Sequence, residues 1–85
     1  MSTEDKGLSK IEKEEFLKAL GLHIKQLREQ KGWSAAEFGR QTDMERSHIA
    51  RLETGGTNPT ATTFKVICEA FEISFEELFA GFKHK

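Results

Sequence analysis

The sequence predicts a compact, all-α domain of five short helices. Three observations predict it. Residues suited to the first position of a helix recur along the chain, at Ser9, Ser34, Glu45, Thr60 and Ser74. Between them apolar residues return at helical spacing, as Ala61, Phe64, Ile67, Cys68 and Phe71 do. One stretch alternates as a strand would: Phe71, Ile73 and Phe75 interleave with Glu72, Ser74 and Glu76. It has no second strand or hairpin turn to pair with, so it reads as the bend between two helices.

Each element follows from its start. A capping box places Glu three residues after a Ser or Thr cap, so that each side chain satisfies an otherwise orphaned backbone donor. Ser9 with Glu12, Ser34 with Glu37 and Ser74 with Glu77 fit this pattern. Hydrophobic staples, which join the residue before the cap to the one four after it, are offered by Trp33 with Phe38, Met44 with Ile49, and Ile73 with Leu78. The first helix is expected from about Lys10 to Lys31, with Leu17, Leu20, Ile24 and Leu27 on one face and a bend at Gly21. The others are expected over Ala35 to Thr42, Arg46 to Thr54, Ala61 to Phe71, and Phe75 to Ala80. Residues 1–8 read as a frayed arm, 9–82 as the folded domain, and 83–85 as a tail.

Composition removes several classes of function. The 85 residues carry 13 basic and 14 acidic side chains, a formal charge of −1, so nucleic-acid binding must come from a local patch and not from a general basic coat. The single Cys68 excludes a disulfide-stapled mini-protein. No apolar run is long enough to span a bilayer, and Met1 to Glu15 has no signal-peptide centre. A cytoplasmic domain with no membrane association is expected. His23, His48 and His84 show no metal-ligand spacing with Cys68, and there is no nucleophile triad, carboxylate pair or phosphate loop. Neither a metal, a cofactor nor an enzymatic activity is expected.

The functional signal lies in the second and third helices. Each is about two turns long, and only Asp43, Met44 and Glu45 join them. That is a helix-turn-helix arrangement, in which the later helix is presented to the major groove. Asp43 is one of the few non-glycine residues that tolerate the left-handed conformation such a turn needs. Gly39, within the second helix, costs about 0.5–1 kcal/mol against alanine and predicts a close approach by the third helix. At 100° per residue, Ile49 and Leu52 of the third helix point inward. Arg46, Ser47, Ala50, Arg51 and Thr54 share the outer arc, which carries two arginines and no acid. Arginine can donate a bidentate pair to guanine, which makes Arg46 and Arg51 candidates to read base edges.

An ordered set of residues now becomes informative: Arg28, Gly32, Ser34, Phe38-Gly39, Ile49, the run Leu52 to Gly55, Asn58-Pro59, and Phe71 with Ile73-Ser74. From Leu22 to Leu78 the sequence resembles the lambda-repressor/Cro-type helix-turn-helix family, also called xenobiotic-response-element type. The resemblance implies a lambda-repressor-like DNA-binding domain with its helix-turn-helix motif at about 34–53. It implies that Arg46, Ser47 and Arg51 read bases, that Ser34, Glu45, Thr57 and Asn58 lie near the DNA backbone, and that Arg28 and Glu53 form a structural ion pair. The sequence departs from the family pattern at Ala35 and Glu45, and it has Gly56-Thr57-Asn58 where basic residues often follow the third helix. Ala35 stands where glutamine often clamps the DNA. Glu45 stands where serine or threonine is usual, and a carboxylate near phosphates costs affinity unless it accepts from a cytosine amino group.

These features predict a small transcriptional regulator that binds specific double-stranded DNA, as a dimeric repressor with its third helix in the major groove. The alternative is a protein-interaction module, an antitoxin or adaptor that keeps the fold with weak DNA binding and takes a protein partner. It draws on the near-neutral charge, Ala35, Glu45 and the C-terminal phenylalanines. Phe75, Phe79 and Phe82 carry two readings of their own. Phe75 and Phe79 can close the core, or Phe79 and Phe82 can form a dimer contact on the surface of a homodimer. Cys68 reads as a small core residue, and His48 as a packing or phosphate-contact residue.

Overall fold

Helix starts set the architecture. The computed structural model describes residues 7–82, and among them no strand occurs. Five helices follow in the order α1 (Lys10–Gln30), α2 (Ala35–Thr42), α3 (Arg46–Thr54), α4 (Ala61–Phe71) and α5 (Phe75–Ala80). Residues 1–6 of the expected arm, and the expected tail 83–85 with His84, lie outside the described residues. Two capping boxes form in full. The Ser9 hydroxyl accepts from Glu12 N–H at 3.1 Å while Glu12 accepts from Ser9 N–H at 2.8 Å. Ser74 and Glu77 exchange the same two bonds at 3.0 and 2.8 Å. The third is only half made. Ser34 accepts from Glu37 N–H at 3.0 Å, but the Glu37 carboxylate turns instead to the charged donor Arg40 and to the Gln41 amide one turn ahead.

The core gathers one or two side chains from each of the first four helices: Leu20 and Ile24 of α1, Phe38 of α2, Ile49 and Leu52 of α3, Ile67 and Phe71 of α4. Trp33 lies over it from just before α2, and its ring stacks with Phe38 (centroids 6.2 Å apart) and with Phe71 (5.6 Å). The expected Trp33 staple is thus a three-ring stack. Cys68 is buried in the same region, as its place on the apolar face of α4 suggested.

At the C-terminal end one expectation fails. Phe75 does not close the core and is 46% exposed; Leu78 is the fully buried residue of α5. A six-residue helix has one inward stripe, and Leu78 with the half-buried Phe79 fills it. Phe79 meets Phe64 edge-on at 5.5 Å and leans on Phe82 at 6.3 Å, and Phe82 packs edge-on to Phe16 of α1 at 5.7 Å. His23 of α1 fastens this end from below. Its Nε2–H donates to the Leu78 carbonyl at 2.6 Å, and its ring lies 5.3 Å from that of Phe82.

Two glycines set the distance between α1 and α3. A Cβ on Gly21 would lie 2.5 Å from the Leu52 carbonyl oxygen and 2.6 Å from that of Glu53. A Cβ on Gly55, the left-handed cap of α3, would lie 2.8 Å from the Lys18 backbone. The backbones therefore touch at both points. The Gly21 expected to bend the first helix instead admits α3, and α1 continues through it as one helix. Among the described residues no helix is long and apolar enough to cross a membrane.

Candidate nucleic-acid interface

The turn between α2 and α3 is built from backbone as much as from side chains. Asp43 adopts the left-handed conformation at φ 58°, as its short polar side chain allows. Its N–H and that of Met44 both donate to the Gly39 carbonyl, the latter at 2.9 Å. A Cβ on Gly39 would stand 2.6 Å from the Met44 carbonyl oxygen. The close approach predicted at Gly39 is therefore real but comes chiefly from the turn; Ile49 of α3 lies at 4.0 Å. Buried Thr42 donates its hydroxyl back to the Phe38 carbonyl at 2.7 Å, so its own side chain is not left unpaired beneath the turn.

Three things fix the roll of α3. Ile49 and Leu52 sink into the core. The Leu52–Glu53 backbone rests on Gly21. Glu53 is then gripped by Arg28 in a two-point fork, Nε to Oε2 at 2.7 Å and Nη2 to Oε1 at 3.0 Å. The third Arg28 nitrogen donates to the Trp33 carbonyl at 2.8 Å, tying the start of α2 into the same junction. The Glu53 hydrogen bonds hold the Arg28 guanidinium above its ordinary range, against a smaller opposing effect of burial. This is the ion pair that the resemblance implied.

With its inner side locked, α3 shows the solvent Arg46, Ser47, Ala50, Arg51 and Thr54, the arc read from the sequence. The Thr54 hydroxyl is spent on the Ala50 carbonyl at 2.9 Å. The guanidinium groups of Arg46 and Arg51 and the Ser47 hydroxyl have no partner within the described residues. His48, beside them, is half-buried. Glu45 caps α3 with extended backbone, its carbonyl accepting from His48 and Ile49 N–H at 3.0 and 3.1 Å, but its carboxylate makes no capping bond. Ser34, Thr57 and Asn58 sit at the start of α2 and beyond the end of α3, with Ser34 and Asn58 exposed and Thr57 half-buried.

This geometry is that of a helix-turn-helix with a rigid, exposed second helix, and a family model described as helix-turn-helix matches residues 24–78. The chain belongs to the lambda-repressor/Cro-type helix-turn-helix family. Its members are DNA-binding regulators of transcription. Comparison with curated proteins finds no match. Among solved structures the fold is similar to the wild-type restriction-modification controller protein C.Esp1396I, with a TM-score of 0.69 and 23% identity over 75% of this chain and 83% of that one. A tyrosine-to-phenylalanine variant of that controller gives 0.70 and 23%, over 75% and 81%. In family terms the Arg28–Glu53 fork joins the first and third helices and leaves the outer face of α3 open.

Sequence reasoning missed Gly21, which positions this face, and His23, which fastens the C-terminal end of the domain. Gly21 was visible as a glycine, but which backbone it admits is a matter of tertiary contact. His23 has i+4 spacing to the core residue Leu27 and to Ala19, and nothing in that pattern marks the Leu78 carbonyl as its partner.

Proposed function

We propose that this chain regulates transcription by binding a specific double-stranded DNA site as a dimer, laying α3 in the major groove and acting as a repressor. The observation that carries this reading is the pair Arg46 and Arg51, exposed and without a partner among the described residues, on a helix whose other side is fixed at three points. A planar donor fork held on a rigid element suits bidentate recognition of guanine. Arg46, Ser47 and Arg51 read base edges in this proposal. Ser34, Thr57 and Asn58 contact the backbone, where the Ser34 hydroxyl can donate to a phosphate while still accepting its capping bond.

The dimer is assigned to the aromatic end of the molecule, with Phe79 and Phe82 as contacts. The partial exposure of both and the open ring of Phe75 one turn away favour it. A two-fold dimer calls for a palindromic site with half-sites about 34 Å apart. Selection of bound duplexes from a random pool tests the proposal, with an enriched inverted repeat as the expected result. Failure to enrich any sequence, together with recovery of a stable protein complex, would favour the adaptor reading instead.

A further inference from the structure

Glu45 departs from the family pattern, and no contact among the described residues explains it. It occupies the N-cap of α3, where a side chain ordinarily accepts from the backbone two or three residues on, yet it makes no such bond. At the starts of α1, α2 and α5 one glutamate three residues after the cap is engaged each time: Glu12 and Glu77 in capping boxes, Glu37 with Arg40 and Gln41. Glu45 is exposed, its carboxylate has no partner among the described residues, and it directly precedes Arg46, which has none among them either.

We infer that Glu45 is a base-reading residue that selects cytosine, and that it sets the contrast between specific and non-specific sites. The inference rests on the proposed entry of α3 into the major groove. The N-terminal residues of a recognition helix are those that reach base edges, and Glu45 opens α3. An ionised carboxylate can only accept hydrogen bonds. Phosphate oxygens, guanine O6 and N7, and thymine O4 are also acceptors, so each repels it. The major-groove donors are the amino groups of cytosine and adenine. Adenine sets its amino group beside the N7 acceptor, an edge that suits an amide, whereas cytosine offers its N4 amino group to a carboxylate. Arg46 donates only and Glu45 accepts only. Side by side they complement guanine and cytosine, on one base pair or on neighbouring pairs. On non-cognate DNA the same carboxylate faces phosphates or other acceptors and weakens binding.

The test uses the full chain, with Glu45→Gln and Glu45→Ala and duplex selection for all three proteins. Thermal melting first establishes that the variants fold, as the missing capping bond leads us to expect. The wild type is expected to select a cytosine at one position of each half-site, and both variants to lose that preference. Replacing this cytosine by thymine should weaken wild-type binding about ten- to hundredfold and the Glu45→Ala protein only marginally. Glu45→Ala should also bind random duplex more tightly than wild type. If wild type and variants select identical bases at every position, this inference fails while the DNA-binding proposal stands. If the wild type selects no duplex at all, both fail.

Discussion

Arg28 and Glu53, 25 residues apart, meet through two parallel hydrogen bonds of 2.7 and 3.0 Å with only 11% and 7% of their side chains exposed. Two charges this far from water stand only as long as each has the other. Glu53→Ala, which strands a buried guanidinium, is expected to cost about 3–5 kcal/mol in urea unfolding. Replacing both together, Arg28→Met with Glu53→Leu, should recover most of that loss, because the desolvation cost disappears with the charges. A double variant as unstable as Glu53→Ala alone would mean that the third bond of Arg28, to the Trp33 carbonyl, is what the junction needs.

The contact between Gly21 and the Leu52–Glu53 carbonyls leaves no room for a methyl group. In an isolated helix Gly21→Ala would stabilise by about 1 kcal/mol. Here the added carbon meets backbone, which cannot rotate away, and the net result should be a loss of about 1–3 kcal/mol. Because the loss is taken by displacing α3, DNA affinity should fall by more than stability alone explains. Chemical denaturation of the variant, set beside its operator affinity, checks both halves of the statement.

These two junctions also show what the sequence can and cannot carry. Local chemistry is legible. Ser9, Ser34, Thr60 and Ser74 start the helices where their capping oxygens indicate, and Asp43 takes the left-handed turn. α1 ends one residue before the expected Lys31. The exposed arc of α3 follows from helical periodicity alone. Choices made between elements are not legible. Glu72 also turns left-handed, at φ 60°, without any glycine, asparagine or aspartate to announce it. Whether Phe75 or Leu78 is buried depends on how a six-residue helix rolls against α4 and α1, and the His23 bond to Leu78 helps to fix that roll. The half-made capping box at Ser34 is a competition among neighbours, which Arg40 and Gln41 win.

Glu37 has a shifted titration. The Gln41 amide donates to it at 2.7 Å and Arg40 at 2.9 and 2.6 Å, and these bonds, Gln41 first, hold its carboxyl below the ordinary value of 4.5. A carboxylate depressed in the folded state lends stability that is present above its unfolded-state pKa and is lost as pH falls through the folded one. Carboxyl NMR should show Glu37 titrating below the ordinary glutamate value, with Gln41→Ala and Arg40→Ala each moving it upward. Added salt should weaken the Arg40 contribution, since this pair lies at the surface. An ordinary Glu37 titration in the wild type would contradict the geometry.

Cys68, 4% exposed, has its thiol pushed up by burial, with Lys65 opposing weakly. At neutral pH it is expected to resist iodoacetamide, because the reactive thiolate is scarce and access requires the core to open. The labelling rate should rise with urea in step with unfolding. Rapid labelling in the absence of denaturant would show that α4 opens locally.

Arg46 and Arg51 separate binding from folding. Neither guanidinium has a partner among the described residues and both residues are exposed, so Arg46→Ala and Arg51→Ala should leave the melting temperature nearly unchanged. Each should weaken binding to a selected operator by about 1–3 kcal/mol if it reads a base, and relax selectivity at one position. An arginine that meets phosphate instead should weaken all duplexes alike and lower the salt slope by about one. Lysine substitutions sharpen the distinction. At a phosphate contact the ammonium keeps the charge and most of the affinity, whereas at guanine it loses the two-point fork. Anisotropy titrations at several salt concentrations read out all of these cases. Equal affinity of the wild type and the Arg46→Ala, Arg51→Ala double variant for the selected site would remove the outer face of α3 from the interface.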